Sequence, residues 1–213
     1  MKVFQKKYSS ILLLLLFFFM VLMVRITLQY IPYHLDVGFL RIKQDYINIT
    51  HWRIAFFIHV YTSIIVLFAG FTQFPNTIFK RKKKLHRFFG YVYIVNIIFV
   101  TGPTGLIMGF YANGGMSSRI AFVLLSILWI YFTAVALYKA IKRDFKAHEI
   151  YMMRSYALTL SAVTLRAWKF IIMNLFTIPP MDVYRIVAWL GWGLNLIFIE
   201  WIISKRYYKQ QLL

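Results

Sequence analysis

Apolar residues occur along the chain in long runs, separated by short polar or basic connections. Six of these runs reach about 20 residues or more, the length at which an α-helix crosses the roughly 30 Å hydrocarbon layer of a bilayer. They cover residues 11–31, 53–74, 88–111, 119–141, 151–176 and 183–204. The pattern predicts an all-α, polytopic membrane protein, a bundle of six transmembrane helices that forms one integral membrane domain over residues 1–213.

Composition agrees with this interpretation. The chain is 61% hydrophobic and only 15% charged, which is far more apolar than a soluble domain. The first apolar run follows a basic start, as in a signal peptide, but it is too long for one and lacks a small-residue cleavage pattern. We therefore expect it to be a retained span. There are no cysteines, so disulfides, thiolate metal sites and cysteine catalysis are excluded.

The net charge of +19 comes from cations that gather in a few connections. Of 25 Lys and Arg residues, 3 lie in residues 1–7, 6 in 80–87, 5 in 139–154 and 3 in 205–213, all on one side of the predicted bundle. The positive-inside rule then predicts that both termini are cytoplasmic. These cations are orientation signals, which attract anionic lipid head groups secondarily, and they do not indicate nucleic-acid binding.

The fifth run carries a polar stripe. At 100° per residue, His148, Ser155, Thr159 and Arg166 fall within about 20° of one direction. Arg166 would lie roughly 22 Å along the helix from Tyr151, in the far half of the bilayer. A charge there costs at least about 2.5 kcal/mol, so we expect Arg166 to face the bundle interior, where it has a partner or a task.

Two other runs also have polar faces. Four residues of the second run lie within about 40° of one direction, and three of the third share a face at its cytoplasmic end. They are His59, Ser63, Gly70 and Gln73, and then His86, Gly90 and Tyr93. These positions give His86 and His148 similar depth near the cytoplasm, and they place His59 and Arg166 toward the outer side.

The inner histidines allow two interpretations. Imidazoles from different helices at one depth could ligate a haem iron or another metal, so His86 and His148 are candidate ligands of a haem b. Alternatively, both are interfacial histidines that only cap a helix or hydrogen-bond.

His59 and Arg166 are also open to two interpretations. They could belong to a buried polar network that fixes helix register. They could instead be functional, with His59 relaying protons or contacting a quinone and Arg166 holding a haem propionate, a phosphate or a carboxylate. Of the six acids, only Glu200 is placed within a span. This scarcity favours an external anion or a water-filled cavity as the counterpart of Arg166.

Several of these residues occur in a combination that resembles a bacterial family of predicted membrane proteins, domain-of-unknown-function family 2306. The resemblance covers about residues 55–170, and Tyr151 stands where the family often has Trp. The residues that carry it are His59, Gly70, Gln73 and Phe74, then His86, Arg87, Gly90 and Tyr93, then His148, Tyr151, Met152, Arg154 and Ser155, and finally Arg166. The resemblance implies a membrane location and no particular catalysis.

We therefore expect a protein of the bacterial cytoplasmic (inner) membrane with an intramembrane site. The leading hypothesis is haem- or quinone-linked electron transfer. The candidate cofactor-binding residues are His86, His148, His59, Arg166, Arg154, Gln73 and Tyr93. Two alternatives stay open, a small transporter or channel for protons or an anionic substrate, and a non-catalytic subunit packed against larger membrane-protein partners. Nucleotide-binding loops, hydrolase elbows and zinc-protease motifs do not occur in the sequence.

Overall fold

A computed structural model describes residues 2–31, 33–73 and 82–208 of the chain. Within these ranges the regular structure is entirely helical, as predicted. Residues 1–95 and 96–213 form two compact units, each of which is described by itself. Phe74 of the second predicted span, residues 80 and 81 of the basic connection and the tail 209–213 lie outside the described residues.

The first unit is built around α3 (Thr50–Phe71), against which α1 (Lys2–Leu28) packs. Between them, the polar connection forms a short 3₁₀ helix, Gly38–Ile42, and the one-turn helix α2 (Gln44–Ile47). Helix α4 (Lys83–Asn96) follows the undescribed connection. Apolar and aromatic side chains such as Trp52 and Phe56, which are 0% and 1% exposed, form the core at the start of α3.

The second unit contains α5 (Gly102–Phe110), α6 (Met116–Ile141), α7 (Phe145–Thr159), α8 (Ser161–Leu175) and α9 (Pro180–Ile203). Helix α6 packs against both α5 and α7, while α9 packs against α6, α7 and α8. A π-helical segment, Ser204–Tyr208, continues α9. Helix α7 therefore lies between two partners, and its polar side chains meet other helices.

A π-helical turn, Ile97–Thr101, lies between α4 and α5, just before Pro103. Proline lacks the N–H that would continue an α-helix, and Thr101 Oγ1 bonds to Asn96 O at 2.9 Å inside the turn. A Cβ on Gly102 would come within 2.3 Å of Ile97 O, so only glycine fits where the turn ends. A Cβ on Gly109 would lie 3.1 Å from Val123 N, so this glycine allows close contact between α5 and α6.

Four helices are long and apolar enough to cross a membrane, within the part of the chain that the structure describes. They are Thr50–Phe71, Lys83–Phe110, Met116–Ile141 and Pro180–Tyr207. A fifth span results if α7 and α8 are counted as one bent span, and Leu14–Leu28 of α1 is a shorter apolar helix. The described residues thus contain four to five candidate spans, while the sixth span and the cytoplasmic termini stay predictions.

Candidate functional site: the polar face of α7

Hydroxyl groups join α6 to α7 in a buried ladder. Trp129 Nε1 donates to Thr159 Oγ1 at 3.0 Å, and the side-chain oxygens of Thr133 and Ser155 lie 2.7 Å apart. Thr133 and Ser155 are both 0% exposed. Thr133 Oγ1 donates its hydrogen to Trp129 O. The hydrogen bond between the two hydroxyls is therefore donated by Ser155. The ladder therefore uses its donors within the protein and fixes α7 on α6.

His148 continues the same face toward the start of α7. Its Nδ1 lies 2.8 Å from the carbonyl oxygen of Ala136, one turn beyond Thr133 on α6. A carbonyl oxygen only accepts, so Nδ1 carries a proton and donates it to Ala136 O, which leaves Nε2 as the ring nitrogen that can act as a ligand. His148, Ser155 and Thr159 thus share one face of α7, as the predicted stripe required, and that face contacts α6.

The predicted fifth span bends at Leu160, where α7 and α8 meet at 41°. No proline or glycine lies at the bend. Thr159 Oγ1 bonds back to Ser155 O at 3.1 Å and Thr164 Oγ1 to Leu160 O at 3.1 Å. Such bonds from a side chain to the preceding turn compete with the regular helical ladder and are associated with helix bending.

Asn195 on α9 is the polar residue that faces the bend. Its Nδ2 lies 3.0 Å from Ala157 O, 3.0 Å from Thr164 Oγ1 and 3.1 Å from Gly191 O. Thr164 Oγ1 also bonds to Gly191 O. A Cβ on Gly191 would come within 2.9 Å of Leu165 Cβ, so a larger residue would push α9 away from α8. The bend is therefore stabilised by α9.

The bend separates Arg166 from the rest of the predicted stripe. Its side chain is exposed and its Nη1 donates to Ala162 O at 2.6 Å, one turn back on the same helix. The sequence predicted that Arg166 faces the interior on the same side as His148, whereas its side chain is exposed on α8. The prediction assumed one straight helix, in which residues eighteen positions apart point the same way, and the 41° bend at Leu160 departs from that assumption.

Arg154 meets a carboxylate on α9. Its Nε lies 2.6 Å from Glu200 Oε1 and its Nη2 3.0 Å from Glu200 Oε2, a bidentate ion pair. The guanidinium carbon also lies 5.0 Å from the centre of the Tyr151 ring. One helical turn earlier on α7, Glu149 pairs with Arg206 at 3.1 Å. These contacts link the start of α7 to the end of α9.

The other predicted site residues belong to the first unit. His59 and His86 are half-buried, while Tyr93 is 0% exposed. Gln73 Nε2 donates to Thr72 Oγ1 at 2.9 Å, and its Oε1 lies 3.7 Å from where a Cβ on Gly90 would be. A Cβ at Gly90 would make an ordinary contact there, so the Gln73 side chain lies next to α4.

Sequence reasoning missed several residues that the structure makes important. Trp129 and Thr133 were overlooked because their helix is so apolar, although with Ala136 they recur every three to four residues on one face. Asn195 is a single amide in an apolar helix, which was a usable signal. No signal in the sequence identified Lys43, yet it is 2% exposed. Its Nζ lies 4.7 Å from the ring centre of Tyr46, 5.7 Å from that of Phe39 and 6.0 Å from that of Trp52.

Within the described residues, no three side chains of His, Asp or Glu gather as they would around a metal ion held by protein ligands alone. A haem iron takes only one or two ligands from the protein. Candidate ligands of a haem iron are therefore single histidines whose rings are oriented by neighbouring atoms.

The family model described as predicted membrane protein (DUF2306) matches residues 56–203, which include α7 and most of the helices just described. The chain belongs to this family. Membership of DUF2306 establishes a membrane protein and assigns no activity. Neither a curated protein nor a solved structure matches the chain.

Proposed function

We propose that this DUF2306 protein is an electron-transfer protein of the bacterial cytoplasmic membrane that binds a b-type haem through His148. The observation that carries the proposal is the 2.8 Å contact between His148 Nδ1 and Ala136 O. Metal-bound histidines usually donate their other ring N–H to a carbonyl or carboxylate, which fixes the ring and leaves Nε2 as the ligand. The haem would supply one-electron chemistry that no side chain of this chain provides.

The setting of His148 also supports the proposal. Its helix is held on α6 by Thr133 with Ser155 and by Trp129 with Thr159, all within buried contacts. A ligand on a rigid helix keeps its geometry through a redox cycle better than one on a loop. His86 stays the predicted second ligand, and His59 with Arg166 the predicted contacts to a propionate or a quinone.

Arg154 is a weaker candidate for contacting a cofactor than His148. Its Nε and Nη2 donate to Glu200, and a propionate would have to displace that carboxylate. We therefore assign Arg154 to positioning, because its ion pair holds the helix that carries His148.

The direct test is an absorption spectrum of the full chain, expressed with ample haem precursor and purified in mild detergent. We expect a Soret band, and α and β bands that sharpen on reduction with dithionite. His148→Ala should lose most of the bound haem. His34→Ala is the matched control, because His34 is exposed on the polar connection of the first unit.

Two results would overturn the haem proposal. One is a wild-type protein without a Soret band despite sufficient haem. The other is a His148→Ala protein with an unchanged spectrum. His148→Met separates ligation from folding, because methionine can still bind the iron and should give a haem spectrum of different position.

A second candidate function, transport of protons or a small anion, rests on the bend at Leu160. Broken helices in transporters commonly line the substrate site near the middle of the membrane. Asn195 and Thr164 lie at this bend with polar atoms 3.0 Å apart. Proteoliposomes loaded with a pH-sensitive dye would report proton flux, which Asn195→Leu should abolish.

Asn174→Leu is the control for that experiment, since Asn174 Nδ2 bonds only within its own helix, to Phe170 O at 2.7 Å. Equal flux through wild type and both variants would end the case for transport at the bend. A haem spectrum together with no flux would leave electron transfer as the function.

A further inference from the structure

The first unit contains a cavity of about 310 Å³ at the beginning of α3, open to the surface. Its walls are Tyr33 from the polar connection and five residues of α3: Thr50, Arg53, Ile54, Phe57 and Ile58. The α3 residues are spaced three and four apart, so they form one continuous face of the helix. The cavity thus follows the helix inward from its first turn.

The lining changes from polar to apolar along that face. Thr50 and Arg53 lie in the first turn of a candidate membrane span, while Ile54, Phe57 and Ile58 follow further along the helix. From Thr50 to Ile58 the helix rises about 12 Å. The Tyr33 and Phe57 rings, with centres 4.6 Å apart, form one wall. A molecule that fits has an anionic head and an apolar tail.

Arg53 has no carboxylate partner among the described residues. In the second unit, each acid has a cationic partner: Asp144 pairs with Lys139, Glu149 with Arg206, Asp182 with Arg185 and Glu200 with Arg154. In the first unit, neither Asp36 nor Asp45 pairs with Arg53. Its Nη1 has one long bond of 3.4 Å, to Ile47 O. A half-buried guanidinium at a membrane boundary attracts an anion, and its planar donors match a phosphate.

We infer that this cavity binds one anionic phospholipid, with the phosphate on Arg53 and Thr50 and the first part of an acyl chain on Ile54, Phe57 and Ile58. The charge of Arg53 selects the anionic head group, and the apolar end of the cavity selects a lipid over free phosphate. The site lies at the first turn of α3, whereas the cationic residues 80–87 follow the other end of that helix in the sequence, so it is separate from the general attraction of basic connections to lipid. It does not depend on the proposed haem.

The test is native mass spectrometry of the delipidated full chain, titrated with phosphatidylglycerol. We expect one tightly bound lipid, and an apparent Kd about tenfold weaker in Arg53→Gln, as for the loss of one charged hydrogen-bonding contact. Arg41→Gln is the matched control. Arg41 is exposed and bonds to Asp36 O at 2.8 Å, and it does not line the cavity.

Other variants and probes separate the alternatives. Arg53→Lys should retain part of the affinity, and Ile58→Trp, which narrows the apolar end without changing charge, should also weaken binding. Arg53→Lys and Ile58→Trp provide the test if Arg53→Gln does not fold. The inference is overturned if Arg41→Gln and Arg53→Gln weaken binding equally, if neither does, or if uncharged diacylglycerol or inorganic phosphate binds as tightly as phosphatidylglycerol.

Discussion

The side-chain oxygens of Thr133 and Ser155 lie 2.7 Å apart between α6 and α7, where both residues are fully buried. Removing one hydroxyl leaves the other without this bond in an apolar setting. We predict that Thr133→Val, which keeps the shape of the side chain, lowers the free energy of unfolding by about 1 kcal/mol. Thermal unfolding in detergent, followed by circular dichroism, measures the change.

The control for this prediction is Thr62→Val. Thr62 Oγ1 bonds to Ile58 O of its own helix, so the same substitution breaks no contact between helices. If both variants lose the same stability, the hydroxyl ladder does not hold α6 and α7 together.

The bidentate pair of Arg154 and Glu200 should contribute measurable coupling. The two side chains are 17% and 46% exposed, so water screens the pair in part. A double-mutant cycle with Arg154→Gln and Glu200→Gln should give about 1 kcal/mol at low salt and less at high salt. The more exposed pair Arg185 and Asp182, at 52% and 47%, should couple more weakly. Equal coupling in both pairs would contradict this ranking.

Lys43 is surrounded by aromatic rings, of which Tyr46 is nearest at 4.7 Å. A desolvated ammonium over an aromatic face gains about 1–2 kcal/mol from the ring. Lys43→Met and Tyr46→Leu should therefore couple by about 1 kcal/mol in a double-mutant cycle of unfolding free energies. Phe57→Leu serves as the control ring, because it packs on Tyr33 and Phe56. Additive effects of Lys43→Met and Tyr46→Leu would exclude a cation–π contribution.

Asp144 caps the start of α7, and its pKa is lowered from the ordinary value of 3.8. The largest cause is the hydrogen bond from Ala147 N, followed by the one from Lys139. A lowered pKa in the folded state means that the ionised carboxylate stabilises the fold above pH 3.8, and that this is lost as the pH falls through the lowered pKa. Melting temperatures between pH 6 and roughly pH 2 should fall more steeply for wild type than for Asp144→Asn.

Asp36→Asn is the comparison for the pH series, because in the described part of the chain no hydrogen bond reaches the Asp36 carboxylate. If the melting temperature falls with pH equally in wild type and in Asp144→Asn, the charge of the Asp144 cap does not contribute to stability.

The sequence by itself determined that the chain is helical and crosses a membrane, since the bilayer requires long apolar helices whose backbone groups are satisfied internally. It also determined the shared face of His148, Ser155 and Thr159, because helical periodicity holds over a few turns of one helix.

Only the tertiary structure decided where those faces point. Asn195 and Thr164 stabilise a bend at Leu160, between the helix of His148 and the helix of Arg166, and neither proline nor glycine occurs there to indicate it. The choice of Ala136 as the partner of His148, and of Glu200 as the partner of Arg154, depends on which helices are neighbours. Periodicity fixes directions around one helix axis, whereas neighbours are chosen by packing between residues far apart in the chain.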